Sequence, residues 1–473
     1  MKKWWIVGLV AAIAAFWVVF TQVVDSSALA DTDTQAAVRS LAQNKDPLAY
    51  FKGDWPLGNH FYRPVSTLAF QADYALHPTS AKGWLFTNAL LAGLCVLLLA
   101  WFVAELTAEP WAAAGSAVLL ASWLVPQAID PSPLLPFLIG LVVVGALLSW
   151  WRERQRPPSG QVGGPWRRYG TPILGFFAIC LAVRLLGELN EVQPLNFRIV
   201  SWIPGRTASV MTVFALIAGA AYCRFERLGA PRDPAPAPSP LDPPGRTRGE
   251  AVVAREPKGV WAWFGLAAIS TALALGSYEQ AVMLPGILVA CGVLLRYQGI
   301  RPRWKLLGVF FALLVAYLWV RHAVLPSGVS AYQKQQTRTG LAGPIMSLLD
   351  YALPAGRDGY FVAKQFELGP EILLDPRMWA KILGVVACLV AFVVGWRQKV
   401  LVRGGLILST LAFLPMAFFN QFEHYHLWPR CFRAMLVLGL GKLVWDLLVT
   451  VWSPRGWQSP PRPDPEPGSP LHP

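Results

Sequence analysis

The stretch GWLFTNALLAGLCVLLLAWFVAEL, residues 83–106, decides the fold class of this chain. Its only charged side chain is Glu105, near the carboxyl end. As a helix, a run of this length crosses a hydrocarbon core about 30 Å thick. Because lipid offers no partner to unsatisfied backbone groups, the run predicts a transmembrane helix.

Similar apolar runs recur along the 473 residues, of which 55% are hydrophobic and only 14% are charged. A water-soluble domain could not keep that much apolar surface away from water. We therefore predict an all-α polytopic membrane protein of about 12 transmembrane helices. The predicted spans lie near 4–24, 83–106, 110–128, 133–151, 170–186, 207–223, 260–277, 281–297, 304–323, 379–396, 400–418 and 430–451.

The formal charge of +14 predicts the orientation of these spans. Basic residues gather in alternate loops, as the positive-inside rule requires of cytoplasmic segments. They include Lys2, Lys3, Arg152, Arg154, Arg156, Arg167, Arg168, Arg224, Arg227, Arg296, Arg301, Arg303, Lys305, Arg397, Lys399 and Arg403. We expect cytoplasmic termini and a bacterial inner (plasma) membrane location, with no nucleic-acid partner because no recognition motif accompanies the charge.

The spans divide the chain into six predicted regions. A retained first helix (1–24) precedes a non-cytoplasmic segment with short amphipathic helices (25–82), which we call the first loop. Helices 2–6 (83–227) and helices 7–12 (259–451, with an outer loop at 324–378) flank a Pro-rich cytoplasmic linker (228–258). A Pro-rich tail (452–473) is predicted to be disordered because it cannot bury a core.

Two carboxylates lie just beyond the first span, on the predicted outer face. Asp31 and Asp33 are separated by Thr32. A carboxylate held at the membrane boundary can act as a base on an acceptor hydroxyl. The alternative is an ordinary solvated loop residue.

Further candidates lie in the first loop and between two spans. His60, Tyr62 and Arg63 combine an imidazole, a phenol and a guanidinium, and the planar guanidinium suits a lipid phosphate. The alternative is an interfacial anchor. Glu279 follows a predicted span at membrane depth, where an ionisable group is a functional candidate by default; the alternative is a bond to neighbouring helix ends.

A polar cluster precedes the last predicted span. It contains Glu423, His424, His426 and Arg430. Two histidines at i and i+2 beside a glutamate could ligate a metal, but zinc pairs on helices are usually spaced i and i+4. We therefore favour contacts to substrate or phosphate over metal binding.

Five motifs in this order resemble multi-span glycosyltransferases of the GT-C fold. They are Tyr62-Arg63-Pro64-Val65-Ser66, Thr87-Asn88, Tyr278-Glu279-Gln280 leading to Pro285, Tyr317 to Arg321, and Pro415 with Glu423-His424-Tyr425 and Pro429. The resemblance is to the O-mannosyltransferase-like branch often fused to tetratricopeptide repeats, and it runs thinly over about residues 5–450. No repeat of that kind is found in the chain.

The resemblance implies inverting transfer of a hexose or pentose from a polyprenyl-phosphate-linked donor, with Asp33 or Asp31 as the base. It also implies phosphate or sugar contacts from the remaining candidates. Two departures bear on the site: the usual adjacent acidic pair is split by Thr32, and the usual Lys before Glu279 is Tyr278.

The predicted function is therefore an envelope glycosyltransferase embedded in membrane lipid, with a protein, lipid or glycan acceptor. No spacing requires a cofactor, although a divalent cation shared by carboxylates and phosphate stays an open alternative. A lipid or polymer transporter and an inactive GT-C-like scaffold are the rival interpretations.

Overall fold

The computed structural model describes residues 4–23, 26–44, 46–124, 202–229, 259–337, 399–419 and 423–452, with positions 344 and 348. Twelve α-helices are described within these ranges. They are α1 (Trp4–Val23), α2 (Thr32–Gln43), α3 (Pro64–Leu76), α4 (Ala81–Thr107), α5 (Pro110–Leu124), α6 (Arg206–Gly229), α7 (Val260–Leu275), α8 (Leu284–Arg296), α9 (Leu307–Val324), α10 (Ala331–Gln336), α11 (Lys399–Phe413) and α12 (Leu427–Trp452).

Five helical segments are long and apolar enough to cross a membrane: Ala81–Thr107, Ile203–Gly229, Glu279–Arg296, Trp304–Val324 and Val400–Phe418. Shorter apolar stretches occur at Trp5–Thr21, Pro110–Leu124 and Val260–Leu275. The chain is an all-α, multi-pass membrane protein, as its sequence predicted. The predicted spans at 133–151, 170–186 and 379–396 lie outside the described residues, so a total of about 12 remains a prediction.

Small residues let these helices pack closely. A side chain at Gly93 of α4 would place its Cβ 2.9 Å from the carbonyl oxygen of Ala12 in α1. At Gly405 of α11, the Cβ would come within 2.5 Å of the backbone nitrogen of Leu436 in α12. Close backbone approach of this kind increases van der Waals contact between helices in lipid.

Arg206, at the start of α6, joins three helices through its fully buried guanidinium. Its Nη1 donates to Asp73 Oδ2 of α3 at 2.5 Å, and its Nε donates to Asn88 Oδ1 of α4 at 2.6 Å. Its Nη2 donates to the carbonyl of Trp84 at 2.7 Å, while Thr87 donates to the second oxygen of Asp73. Each charged atom in the pair therefore has a partner, which buried ions require.

The first loop folds over one end of the helices, which we call the site end. Helices α2 and α3 pack there around a small apolar core separate from the main one. The buried members of this core are Leu41, Tyr50, Trp55, Phe70, Trp84 and Ile203. Because α4 and the segment before α6 contribute side chains, this core fastens the loop to the membrane helices.

The opposite end, which we call the basic end, is held by arginines at helix termini. Arg227 Nη2 donates to the carbonyl of Leu106 at 2.9 Å and to Gln298 Oε1 at 2.7 Å. Arg224 Nη1 lies 2.7 Å from Glu105 Oε1, with 39% of the arginine side chain exposed. Cations here also complement the negative ends of α4 and α6.

We predict that Asp73→Leu destabilises the protein by about 3–5 kcal/mol, because it leaves the Arg206 charge buried without its ionic partner. Thermal unfolding in detergent, followed by loss of the monodisperse elution peak, measures the change. Arg224→Gln is the matched control. Its ion pair is partly exposed, so its loss should cost no more than about 1 kcal/mol. Equal losses in the two variants would contradict the structural role of Arg206.

Candidate functional site

The two acidic residues after the first span have different environments. Asp31 is the N-cap of α2, and its Oδ2 accepts hydrogen bonds from the backbone nitrogen of Thr34 at 3.0 Å and from its hydroxyl at 3.1 Å. The same oxygen accepts a third bond, from Trp202 Nε1 at 3.0 Å. Asp33 lies in the first turn of α2 and is exposed. Asp31 thus fixes the start of the helix that presents Asp33.

Trp202 connects the first loop to the polar cluster that precedes α12. Its ring packs against the imidazole of His424, with centroids 5.1 Å apart. His424 in turn lies 4.4 Å from the ring of Tyr425 and 6.4 Å from that of Tyr278. Three chain segments lie beside the first loop at the site end although they are distant from it in sequence. They contain Trp202, Tyr278 and His424.

Asp54 organises the part of the first loop that contains His60. Its Oδ1 accepts from the backbone nitrogens of Trp55 at 2.8 Å and Phe61 at 2.9 Å, and its Oδ2 accepts from that of His60 at 2.6 Å. His60 has a φ of +63°, a left-handed conformation that is uncommon outside glycine. Gln333 of α10 holds this turn by donating to the His60 carbonyl at 2.9 Å.

Arg63, which is buried, and Glu279, which is partly buried, form a bidentate ion pair. The Nε of Arg63 donates to Oε1 at 3.1 Å and to Oε2 at 2.9 Å, and its Nη2 donates to Oε2 at 2.7 Å. The guanidinium carbon also lies 4.2–4.5 Å from the ring centroids of Trp55, Phe61 and Tyr278. Planar ion pairing and cation–π contacts together define the position of Arg63.

The ionisation of this region follows from burial and from that ion pair. Burial by itself lowers the pKa of Arg63, but Glu279 and nearby phenols outweigh it, so the pKa is raised and the guanidinium stays charged. Burial raises the pKa of Tyr62 and of Tyr425 above the ordinary phenol value. Both phenols therefore remain protonated, and Tyr62 donates its hydroxyl hydrogen to the carbonyl of Phe51 at 3.2 Å.

The turn between α7 and α8 is fixed from two sides. Ser66 of α3 donates its hydroxyl hydrogen to the carbonyl of Ser277 at 2.9 Å. From the other side, the buried Nε2 of Gln280 donates to the carbonyls of Ala412 at 2.8 Å and Tyr425 at 3.0 Å. These bonds hold Glu279 between the first loop and the turn that precedes α12.

The remaining predicted residues lie in or beside that last turn. Glu423, His424 and His426 belong to one 3-10 turn, Glu423–His426, and the ring of His426 stacks on Phe413 at 5.3 Å. Arg430 is partly buried near the start of α12. Across the described ranges, no group of three or more His, Cys, Asp or Glu side chains is arranged to hold a metal ion.

The structure thus brings together candidates from the first loop, the α7–α8 turn and the turn before α12. Sequence reasoning did not assign a site role to Asp54 or Gln280, although both lie in quoted motifs, and it missed Trp202; all three position those candidates. Aspartate before a glycine-containing turn is a recognisable signal for Asp54. Trp202 carried no distinguishing signal, because tryptophan near a span end is common at the membrane interface.

Comparison of the chain with protein-family models, curated proteins and solved structures gives no match in any of the three.

We predict that Glu279→Gln increases backbone amide exchange in residues 54–63 by about tenfold or more. The substitution removes the charge partner of buried Arg63, a loss that typically costs about 3–5 kcal/mol. Hydrogen–deuterium exchange in detergent or nanodiscs measures the effect. Glu105→Gln, which removes the partner of Arg224 at the basic end, should leave exchange in 54–63 unchanged. Unchanged exchange in Glu279→Gln would contradict the role of the ion pair in holding the loop.

Proposed function

We propose that this chain is an inverting membrane glycosyltransferase that takes a sugar from a polyprenyl-phosphate-linked donor on the non-cytoplasmic face. The observation that carries the proposal is the link from Asp31 through Trp202 to His424. It joins the carboxylates after the first span to a cationic cluster, as transfer from a phosphate-linked donor requires. The proposed base and the proposed phosphate contacts therefore belong to connected segments of the site end.

In this proposal Asp33 is the catalytic base. Asp31 Oδ2 already accepts three hydrogen bonds, whereas Asp33 is exposed in the first turn of α2. A base must be accessible to the acceptor hydroxyl. As Asp33 takes that proton, the acceptor oxygen bonds to the anomeric carbon and the bond to the carrier phosphate breaks. The phosphate leaves with the bonding electron pair, and the configuration at the anomeric carbon inverts.

The ion pair at Arg63 organises the site in this scheme. The Arg63 guanidinium is bonded to Glu279 and packed against aromatic rings. In this scheme Arg63 therefore orients the loop that contains His60 and Tyr62. The proposed contacts to the departing phosphate or the sugar are His424, His426 and Arg430, with Glu423 in the same turn. Positive groups there would stabilise charge that develops on the phosphate.

The proposed orientation places the site end outside the cell and the basic end in the cytoplasm. Arg224, Arg227 and Arg303 are described at the basic end, in agreement with the positive-inside rule. A bacterial inner membrane location and an unspecified protein, lipid or glycan acceptor belong to the proposal.

A catalytically inactive scaffold is the second candidate. One observation favours it: one member of the split acidic pair serves as a helix cap. A transporter is less well supported, because broken helices and polar groups near the membrane midplane are typical of that class, whereas the candidate residues gather at the site end.

The test is transfer of labelled sugar from polyprenyl-phosphate donors in membranes that contain each variant. We predict that Asp33→Asn lowers transfer by about a hundredfold or more, because it removes the base. Asp31→Ser should lower transfer much less, because serine still caps α2 and the substitution removes only the bond from Trp202. Asp46→Asn removes another exposed carboxylate of the first loop and should have no effect.

Membrane insertion is verified by detergent extraction and gel filtration of every variant. Loss of transfer in Asp31→Ser with full activity in Asp33→Asn would assign the base to Asp31 and overturn our choice. No transfer by the wild type from a panel of donors and acceptors would contradict the enzyme and favour the scaffold.

A further inference from the structure

A short turn at the basic end joins α8 to α9, and we call residues 296–305 the basic hairpin. Two backbone bonds close it: the nitrogen of Ile300 donates to the carbonyl of Leu295 at 3.1 Å, and that of Gly299 donates to the carbonyl of Arg296 at 3.0 Å. Gly299 has a φ of +84°, which glycine adopts without strain. This is the Schellman arrangement that often ends a helix, so the turn is compact.

The basic hairpin is fixed against α6 and α8. The backbone nitrogen of Arg303 donates to the two carboxylate oxygens of Glu226 at 3.2 and 3.1 Å, and its Nη2 donates to the carbonyl of Gly229 at 3.0 Å. Trp304 packs against Gly292 of α8, where an added Cβ would lie 3.2 Å from Cζ3 of the indole. Arg303 therefore has a structural role at the foot of the hairpin.

Three other cations of the basic hairpin are exposed: Arg296, Arg301 and Lys305. Within the described part of the chain, none of these three side chains has an ion-pair partner. Glu226 is the carboxylate that contacts the hairpin, and it is buried beneath it. The sequence has no acidic residue between Glu279 and Asp350. The hairpin therefore presents positive charge that its own carboxylates do not neutralise.

Exposed apolar side chains place the basic hairpin at the depth of the lipid headgroups. Val293 lies three residues before Arg296, Val309 lies four residues after Lys305, and both valines are exposed. Residues three or four apart are neighbours on a helix surface, so each cation is next to a side chain that faces hydrocarbon. Two aromatic side chains of the hairpin are also exposed, Tyr297 and Trp304. Tyrosine and tryptophan are enriched at the boundary between hydrocarbon and water.

The other partners that could cover the basic hairpin are less suitable. The Pro-rich linker, 228–258, has five basic and four acidic residues, and the tail, 452–473, has two of each. Neither segment has the excess of negative charge that would complement the hairpin. The positive-inside rule accounts for cations at this end, but an internally bonded cation such as Arg303 satisfies it equally well. A lipid leaflet that contains anionic headgroups supplies both the charge and the depth.

We propose that the basic hairpin binds anionic phospholipids of the leaflet at the basic end, in preference to zwitterionic ones. Arg296, Arg301 and Lys305 donate charge-assisted hydrogen bonds to the phosphate oxygens, and the exposed aromatic rings pack beside the start of the acyl chains. A zwitterionic headgroup adds a positive charge that opposes the three cations, which is the source of the preference. This inference does not depend on the proposed reaction, because the hairpin lies at the opposite end of the helices from the proposed site.

Native mass spectrometry of the purified full-length chain measures binding of three probes: phosphatidylglycerol, phosphatidylcholine with the same acyl chains, and soluble glycerol phosphate. We expect phosphatidylglycerol to bind at least about tenfold more tightly than either of the others. Replacing Arg296, Arg301 and Lys305 together by Gln should weaken phosphatidylglycerol binding by about ten- to a hundredfold, and Arg301→Gln alone by about two- to fivefold. Binding of phosphatidylcholine should stay unchanged. Raising the ionic strength should reduce the preference, because the three charges are exposed to screening.

A matched triple variant separates this surface from the effect of net charge. It replaces three exposed cations of the first loop and α10 by Gln: Arg39, Lys52 and Lys334. This variant loses the same charge and should keep the preference for phosphatidylglycerol. Equal losses in the two triple variants, or equal binding of the two lipids by the wild type, would overturn the proposal. Glycerol phosphate bound as tightly as the lipid would overturn the lipid assignment. Thermal unfolding verifies folding, and Arg301→Gln tests the surface even if the triple variant is unstable.

Discussion

The buried ion pair between Arg63 and Glu279 is the interaction on which the site depends. It connects residues 216 positions apart and joins the first loop to the turn between two membrane helices. A buried charge is costly unless it is paired and hydrogen-bonded, and three donor–acceptor contacts join Nε and Nη2 of Arg63 to the two carboxylate oxygens of Glu279. The rings of Trp55, Phe61 and Tyr278 surround the guanidinium and restrict the position of the loop. Asp54 and α10 then fix the turn that contains His60 relative to the same arginine.

The two acidic residues after the first span, Asp31 and Asp33, have different structural environments. Asp31 uses one oxygen to cap α2 and to accept from Trp202, and Trp202 packs on His424. A single side chain therefore sets both the direction of α2 and the distance between the first loop and the turn before α12. The split acidic pair, with Thr32 between its members, gives one structural carboxylate and one exposed carboxylate. That division is the reason for assigning the proposed base to Asp33.

The membrane class and the helical regions were predictable from the sequence. A helix that crosses lipid needs a continuous run of apolar residues, and such a run is visible in the local sequence. The sequence also identified Arg63 and Glu279 as individual candidates. It could not predict their pairing, since the contact depends on how distant helices pack. Arg206 was missed because the predicted span began at 207, and an arginine beside an apolar run resembles a loop residue. Its bonds to Asp73 and Asn88 exist only once α3, α4 and α6 are packed together. The catalytic and binding roles of the candidate residues remain predictions.

At the site end, the bonds made by Asp31, Asp54 and the Arg63–Glu279 pair hold the structure, and the exposed Asp33 is the proposed base. Under this account the reaction uses one carboxylate and a single displacement at the anomeric carbon. The most direct measurement is the anomeric configuration of the transferred sugar, determined by NMR on donor and product. The account predicts inversion. A product that retains the donor configuration would require a covalent sugar–enzyme intermediate or another double displacement, and would contradict it.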